Sequence, residues 1–164
     1  MMKDYPYRIG SGHDSHRLDE GYPLILCGVK IEYELGLVGH SDADVVLHAV
    51  VDALLGAAGL GDIGDAYPDS NPRWRGASSR IFLSETLARL NRLGWRLVNL
   101  DVTIFAEEPK LGPLKAAIRA SLAALLELPE DCVNVKAKTG EGVGHIGRGE
   151  AIACHAVALI GKKE

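Results

Sequence analysis

Residues 40–69 read HSDADVVLHAVVDALLGAAGLGDIGDAYPD: a polar opening, an apolar run broken by acids and one histidine, then a glycine-rich acidic loop. Ser41 has the chemistry of a helix N-cap, and Asp44 three residues later comes close to a capping box. The spacing predicts a helix ending near Gly59, with Val45, Leu47, Val50, Val51, Leu54, Leu55 and Ala58 as its buried surface. Asp44, His48 and Asp52 recur every fourth residue, so all three project from one side of that helix. Acids and an imidazole on so apolar a helix need partners, and a metal ion is one economical partner.

Working outward, the chain of 164 residues suits one domain over residues 1–164 with one core. Hydrophobic residues make up 47% and charged residues 24%, the balance of a globular protein rather than a disordered one. A net charge of −4 with no basic run excludes a nucleic-acid surface. The three cysteines, Cys27, Cys132 and Cys154, lack metal-type spacing, and an odd number points to free thiols in a reducing compartment. The opening MMKDYPYR has no apolar signal core, and no stretch is long and apolar enough to span a bilayer. A cytoplasmic protein is expected.

Before the central helix, residues 7–11 read as a short strand and residues 12–16 as a turn. Residues 24–31 read as a hairpin broken at Gly28. After it, residues 65–77 carry Pro68, Asn71-Pro72 and Gly76 and read as loop. A second helix starts at Ser78 or Ser79 and stops at Gly94; a strand follows over residues 96–105. Gly112-Pro113 opens a third helix that runs until Pro129. Val133–Lys138 alternates as a half-buried strand, residues 139–149 form a loop, and residues 151–160 close the chain as an apolar strand.

The order β-β-α-α-β-α-β-β predicts an α/β sandwich with helices on one face of one sheet. The last strand is apolar on both sides, with Ile152, Cys154, Ala156 and Ala158 on one and Ala151, Ala153, Val157 and Leu159 on the other. A second subunit over the sheet's free face is the simplest way to bury both; loops over a central strand are the alternative.

Three groups of residues carry candidate chemistry. Asp14 and His16, two apart, point the same way in extended backbone, and with His48 they compose an Asp/His/His set. Zinc takes such a set tetrahedrally and keeps a fourth position open, although manganese or iron also suits these ligand types. The competing reading has His16 capping a turn and His48 as a satisfied core histidine. Residues 139–150, TGEGVGHIGRGE, have the glycines, the Thr139 hydroxyl and the flanking Lys136, Lys138 and Arg148 of a phosphate cradle, with Glu141 able to hold magnesium. A wide hairpin turn explains that loop nearly as well, and it matches neither the P-loop nor the dinucleotide pattern. Asp62 and Asp69 bracket the loop after the first helix, as acceptors for polyol hydroxyls or as solvated acids, and residues 106–112 join a strand to a proline-started helix.

In this order, G-x-D-x-H at residues 12–16, the HSDADVVLHAVVDALLGAAGLGDIG block, Tyr67-Pro68-Asp69-Ser70, Pro109-Lys110-Leu111 and Gly147-Arg148-Gly149-Glu150 closely resemble the 2-C-methyl-D-erythritol 2,4-cyclodiphosphate synthase family, over about residues 8–160. The resemblance implies a phosphorus–oxygen lyase of the non-mevalonate isoprenoid pathway. Its substrate is 4-diphosphocytidyl-2-C-methyl-D-erythritol 2-phosphate, whose 2-phosphate attacks its own β-phosphorus and releases CMP. It implies one zinc per subunit (manganese being the alternative) on Asp14, His16 and His48, and magnesium on Glu141. His40 and Thr139 fall at transition-state-stabilising positions. Ser41, Asp62, Ile63, Gly64, Asp69 and Arg148 fall at substrate-binding positions, and Ala106, Pro109, Lys110 and Leu111 at those of the cytosine pocket. The fold implied is an α+β sandwich: one mixed β-sheet, three helices on one face, the other face packed in a homotrimer with active sites between subunits. Two departures stand out. His13 and His145 replace aromatics that line the trimer's central cavity in many members, so an isoprenoid-diphosphate site there is not carried over, and Gly140 replaces a threonine or asparagine. Two other readings are a zinc-dependent phosphodiesterase on the same scaffold and a non-catalytic trimeric binding protein.

Overall fold

Gly10 and Gly12 mark the closest approach between the sheet and the helix layer. The computed structural model describes residues 5–163, so residues 1–4 and 164 of the expected domain lie outside the described residues. Strand β1 (Tyr7–Glu20) turns its even-numbered face toward helix α1 (Val45–Ala58). A Cβ on Gly10 would stand 1.9 Å from the Ala53 carbonyl oxygen, and one on Gly12 would stand 2.0 Å from that of Ala49. Backbone therefore packs on backbone, which only glycine in the strand and alanine in the helix allow.

The same contact corrects the expected turn at residues 12–16. β1 does not stop at Ser11; it pairs continuously with strand β7 (Ala151–Lys162), from Tyr7 opposite Gly161 to Arg17 opposite Ala151. The glycines that read as breakers are strand residues whose missing side chains admit the helix. Strands β2 (Leu24–Leu26) and β3 (Val29–Ile31) form the expected hairpin, turning through Cys27 and Gly28 at φ 53° and 69°. Two consecutive left-handed residues match the twist of a two-residue hairpin. Strand β4 (Leu35–Leu37), which the sequence pattern did not show, pairs with the end of β1.

Helix α1 begins later than expected. Ala43 is left-handed at φ 56°, so the chain cannot run helically from Ser41. Asp44 is the cap instead, accepting from the Leu47 N–H, and Gly59 ends the helix in the left-handed conformation at φ 70°. The loop read over residues 65–77 is helical at its first two residues, which end a short helix α2 (Ile63–Ala66), and it contains a 3₁₀ turn, Pro72–Trp74. Helix α3 (Ser79–Arg92) starts on the Ser78 cap and closes at Leu93 and Gly94. Strand β5 (Trp95–Phe105) leads through a 3₁₀ turn at Gly112–Leu114 into α4 (Lys115–Leu126), which Glu127 ends at φ 54°, two residues before Pro129. Strand β6 (Val133–Lys138) is followed by a short helix α5 (Gly144–Gly147) inside the glycine-rich loop.

The sheet order is β4-β1-β7-β5-β6, antiparallel except for the parallel pair β5–β6, so it is mixed, as the resemblance implied. Helices α1, α3 and α4 cover one face and enclose a single contiguous core with β1, β5, β6 and β7. On β7, Ile152, Cys154, Ala156, Ala158 and Ile160 are buried against the helices. On the other face Ala151 and Ala153 are buried, but Val157 is 37% exposed, and beside it on β1 Ile9 is 72% and Tyr7 59% exposed. Two-sided burial of β7 is thus incomplete within one chain.

Candidate functional site

The glycine–alanine contact that joins β1 to α1 also delivers three ligating side chains to one point. Past Gly10 and Gly12, the next residues on the same face of β1 are Asp14 and His16, and His48 lies on α1 directly before Ala49. Asp14 Oδ2 is 2.9 Å from His16 Nε2 and 2.9 Å from His48 Nδ1, and the two nitrogens are 3.1 Å apart. A partner outside the trio aims each imidazole: His16 Nδ1 donates to the Val38 carbonyl at 2.8 Å, and His48 Nε2 lies 2.8 Å from Ser79 Oγ and 3.0 Å from Ser41 Oγ.

One carboxylate oxygen and two inward-facing ring nitrogens in mutual contact need positive charge between them. Burial works to raise the Asp14 carboxyl, yet hydrogen bonds from His16 and His48 outweigh it and hold the group well below the usual carboxylate range. Burial likewise disfavours a charged His16, but Asp14, by hydrogen bond and by charge, carries its pKa above the ordinary histidine value. A proton thus does in the bare protein what a cation does more fully. Adjacent ligands of a tetrahedral ion with bonds of about 2.0–2.1 Å stand about 3.3–3.4 Å apart. The observed separations of 2.9, 2.9 and 3.1 Å fall only a few tenths of an ångström short, so the set fits a divalent metal ion.

The trio opens onto a cleft of about 400 Å³ whose lining includes His40, Ser41, Ile63, Gly64 and Asp69. Its far wall is aromatic: Tyr67 stacks on Phe82 at 4.7 Å, and Trp74 meets both edge-on at 5.4 Å. The Tyr67 hydroxyl is tied down at Thr86 and the Phe82 carbonyl. This wall was not legible in the sequence, because Trp74 sits in a proline-rich loop and Phe82 reads as ordinary helix core. His40 Nε2 lines the cleft buried and without a hydrogen-bond partner among the described residues.

Other expected site residues gather elsewhere. Ala106, Lys110, Leu111 and Thr139 line a second cavity of about 250 Å³, and none of its lining residues is shared with the cleft. Pro109, joined to Glu108 by a cis peptide bond, belongs to the same loop but not to that lining. Glu141 is exposed at φ 52° and accepts from the Thr139 hydroxyl at 3.1 Å, while Glu107 holds the Gly140 N–H at 2.9 Å. Arg148 is exposed and bidentate to Glu150 at 2.7 and 3.0 Å. Asp62 does not line the cleft; its carboxylate caps α2 by accepting from the Asp65 N–H at 2.9 Å, in a reciprocal capping box.

Asp44 and Asp52 also depart from the expected shared polar face. Asp44 is fully buried and accepts from Cys27, Gly28 and Leu47 N–H groups at 3.0, 2.7 and 3.1 Å, and Asp52 accepts from Ile63 N–H at 3.0 Å. Both partners are backbone groups, which leaves His48 as the only one of the three that meets the metal set.

Comparison with known proteins agrees with this geometry. A match to the YgbB family covers residues 7–161. The 2-C-methyl-D-erythritol 2,4-cyclodiphosphate synthase of Bordetella avium is 54% identical over 158 residues, 96% of this chain and 98% of that protein. The structure of the bifunctional IspDF from Campylobacter jejuni superposes with a TM-score of 0.93 at 39% identity, covering 98% of this chain and 44% of that one. A 2C-methyl-D-erythritol-2,4-cyclodiphosphate synthase in a CDP-bound form superposes at 0.86 with 44% identity, over 93% of this chain and 99% of that one. The chain belongs to the YgbB family, that of the 2-C-methyl-D-erythritol 2,4-cyclodiphosphate synthases.

Proposed function

We infer that this protein converts 4-diphosphocytidyl-2-C-methyl-D-erythritol 2-phosphate into 2-C-methyl-D-erythritol 2,4-cyclodiphosphate and CMP, as a phosphorus–oxygen lyase of non-mevalonate isoprenoid synthesis. The observation that carries the reading is the Asp14–His16–His48 trio at the mouth of a cleft with polar and aromatic walls. One bond forms, from a 2-phosphate oxygen to the β-phosphorus, and one breaks, from the β-phosphorus to the oxygen that leaves with CMP. Nucleophile and electrophile share one molecule, so the protein's task is to position the phosphates and neutralise charge. Free cysteine nucleophiles are not needed, and burial raises the thiols of Cys27 and Cys154 far from reactivity.

Asp14, His16 and His48 would hold zinc (manganese being compatible with the same donors). Bound there, the ion supplies Lewis-acid polarisation of a phosphate oxygen. Within the cleft, His40 has a buried ring nitrogen in want of a partner, which suits it to bind the β-phosphate in the transition state. Ser41, Ile63, Gly64 and Asp69 line the space for the methylerythritol portion. In the second cavity Ala106, Lys110 and Leu111, with Pro109 in the same loop, would receive cytosine and Thr139 would align the phosphates, while Glu141, outside that lining but bonded to the Thr139 hydroxyl, would carry magnesium. Asp62 serves by shaping α2, and Arg148, now paired with Glu150, would turn to anionic groups of the substrate.

The two cavities share no residue, and the sheet face opposite the helices is open in one chain. Both features support one domain per chain assembled as a homotrimer, with each site completed by two neighbouring copies. Incubation with the cytidyl substrate, followed by phosphorus NMR with and without a chelator, tests the activity. A cyclic diphosphate and CMP formed only with metal are expected. A linear phosphate would mean attack by water and would move the reading to a phosphodiesterase; no turnover and no bound metal would leave a binding protein.

A further inference from the structure

His48 is held from behind by two hydroxyls that are not equivalent. Ser79 Oγ lies 2.8 Å from His48 Nε2 and also contacts Asp42 Oδ1 in a short hydrogen bond. An ionised carboxylate only accepts, so the Ser79 hydroxyl hydrogen points to Asp42 and its lone pair faces His48. With a metal ion on Nδ1, the imidazole carries its hydrogen on Nε2, where the Ser79 lone pair receives it. Ser41 Oγ, at 3.0 Å, has no such constraint: among its hydrogen bonds is a weak one at 3.4 Å from the Ala43 N–H, and its hydrogen is free to turn either way.

We propose that Asp42 and Ser79 are positioning residues of the metal centre, a carboxylate–hydroxyl relay that fixes the tautomer and aim of His48. The proposal rests on the reading that Asp14, His16 and His48 bind a divalent metal ion. The relay is built rigidly. Ser79 is fully buried, its N–H donates to Asp42 Oδ2 at 3.0 Å, and it is the first residue of α3. Asp42 in turn accepts from the Asp44 N–H at 3.2 Å and donates its own N–H to the Ala77 carbonyl at 3.0 Å. One carboxylate therefore ties the start of α3 to the loop before α1, and the metal-facing histidine of α1 hangs from the knot.

His16 reaches the same end by a different device, since the Val38 carbonyl at 2.8 Å can only accept. The difference is charge. Behind His48 stands a full negative charge, relayed through one hydroxyl, which strengthens the ring as a ligand. It also divides labour between the serines: with Ser79 holding the tautomer, Ser41 is free to turn its hydroxyl toward a phosphate in the cleft.

A purely structural alternative makes Ser79 the first residue of a helix and Asp42 an anion at the positive end of that helix. Zinc affinity separates the two, measured on metal-free protein by competition with a chromophoric chelator and read beside the thermal midpoint. Ser79→Ala and Asp42→Asn are expected to weaken zinc binding by about 10–100-fold, with Ser79→Thr restoring most of it. His48→Ala should abolish binding. If Ser79→Ala and Asp42→Asn bind zinc as the wild type does and lose only thermal stability, the relay is overturned and helix capping remains. If the wild type itself binds no zinc, the metal reading fails instead, visibly and before any relay variant is compared. Should Ser79→Ala not fold, Asp42→Asn decides by the same competition measurement: weaker zinc binding is expected, and wild-type affinity overturns the proposal.

Discussion

At the scale of the residue, protons and metal compete for the same three atoms. The raised pKa of His16 means that the folded metal-free protein keeps a proton the unfolded chain loses just above the ordinary histidine value. That contribution to stability is full below the ordinary value and disappears as pH rises through the folded one. Asp44 acts in the same direction at lower pH: burial pushes its carboxyl from 3.8 up to about 6, against the N–H groups of Gly28, Leu47 and Cys27. Folding is thus favoured by protonation across that window and weakened as pH passes about 6. Asp14 opposes this trend only in strong acid, where its depressed pKa lies. The thermal midpoint of metal-free protein should therefore fall as pH rises from about 5 to about 8. Zinc bound at the proposed site would have to displace the His16 proton, so the stabilisation that added zinc confers should grow over the same range. Calorimetry at a series of pH values checks both, and a flat metal-free midpoint would contradict the assignment.

At the scale of the element, the β1–α1 contact decides whether the metal set exists. Gly12 and Gly56 are both glycines in these two elements, yet they should respond oppositely to alanine. A Cβ on Gly12 meets the Ala49 carbonyl at 2.0 Å and the Ala53 nitrogen at 2.7 Å, both backbone atoms that cannot swing aside. Gly12→Ala should cost about 3 kcal/mol or more and pull His48 from Asp14, weakening zinc binding as well. At Gly56, inside α1, the nearest atom is 3.8 Å away, and the residue is exposed. Gly56→Ala should stabilise by about 0.5–1 kcal/mol through helix propensity alone. Denaturant titration of both variants reads the contrast, and equal effects would show that the strand–helix distance is not constrained. The sequence showed glycines at 10 and 12 but not their purpose, because a strand glycine that admits a helix looks the same as one that makes a turn.

At the scale of the whole molecule, the sheet has a covered face and an open one. Val157, Ile9 and Tyr7 are partly or largely exposed on the open side, next to the cross-strand pair His13–His155. If the proposed trimer closes over this face, a charge there must be desolvated. Val157→Asp should shift the protein to smaller species in analytical ultracentrifugation and remove turnover. Zinc binding should survive, because Asp14, His16 and His48 come from one chain on the helix side of the sheet. A variant that stays in the wild-type assembly would place the subunit interface elsewhere.

The sequence by itself determined the three long helices and the later strands, a helix start at Ser78 or Ser79, the stop at Gly59, the hairpin at Gly28 and the identity of Asp14, His16 and His48, because these depend on local spacing and on residue chemistry. Tertiary structure alone decided that residues 12–16 extend a strand, that Asp44 rather than Ser41 caps α1, and that Asp44, Asp52 and Asp62 serve backbone N–H groups. It alone brought Asp42 and Ser79 behind His48 and set Trp74, Tyr67 and Phe82 around the cleft. The physical reason is common to all of these: each depends on a partner far away in the chain, and which backbone group or aromatic ring a side chain will meet is settled only when the helix layer closes on the sheet.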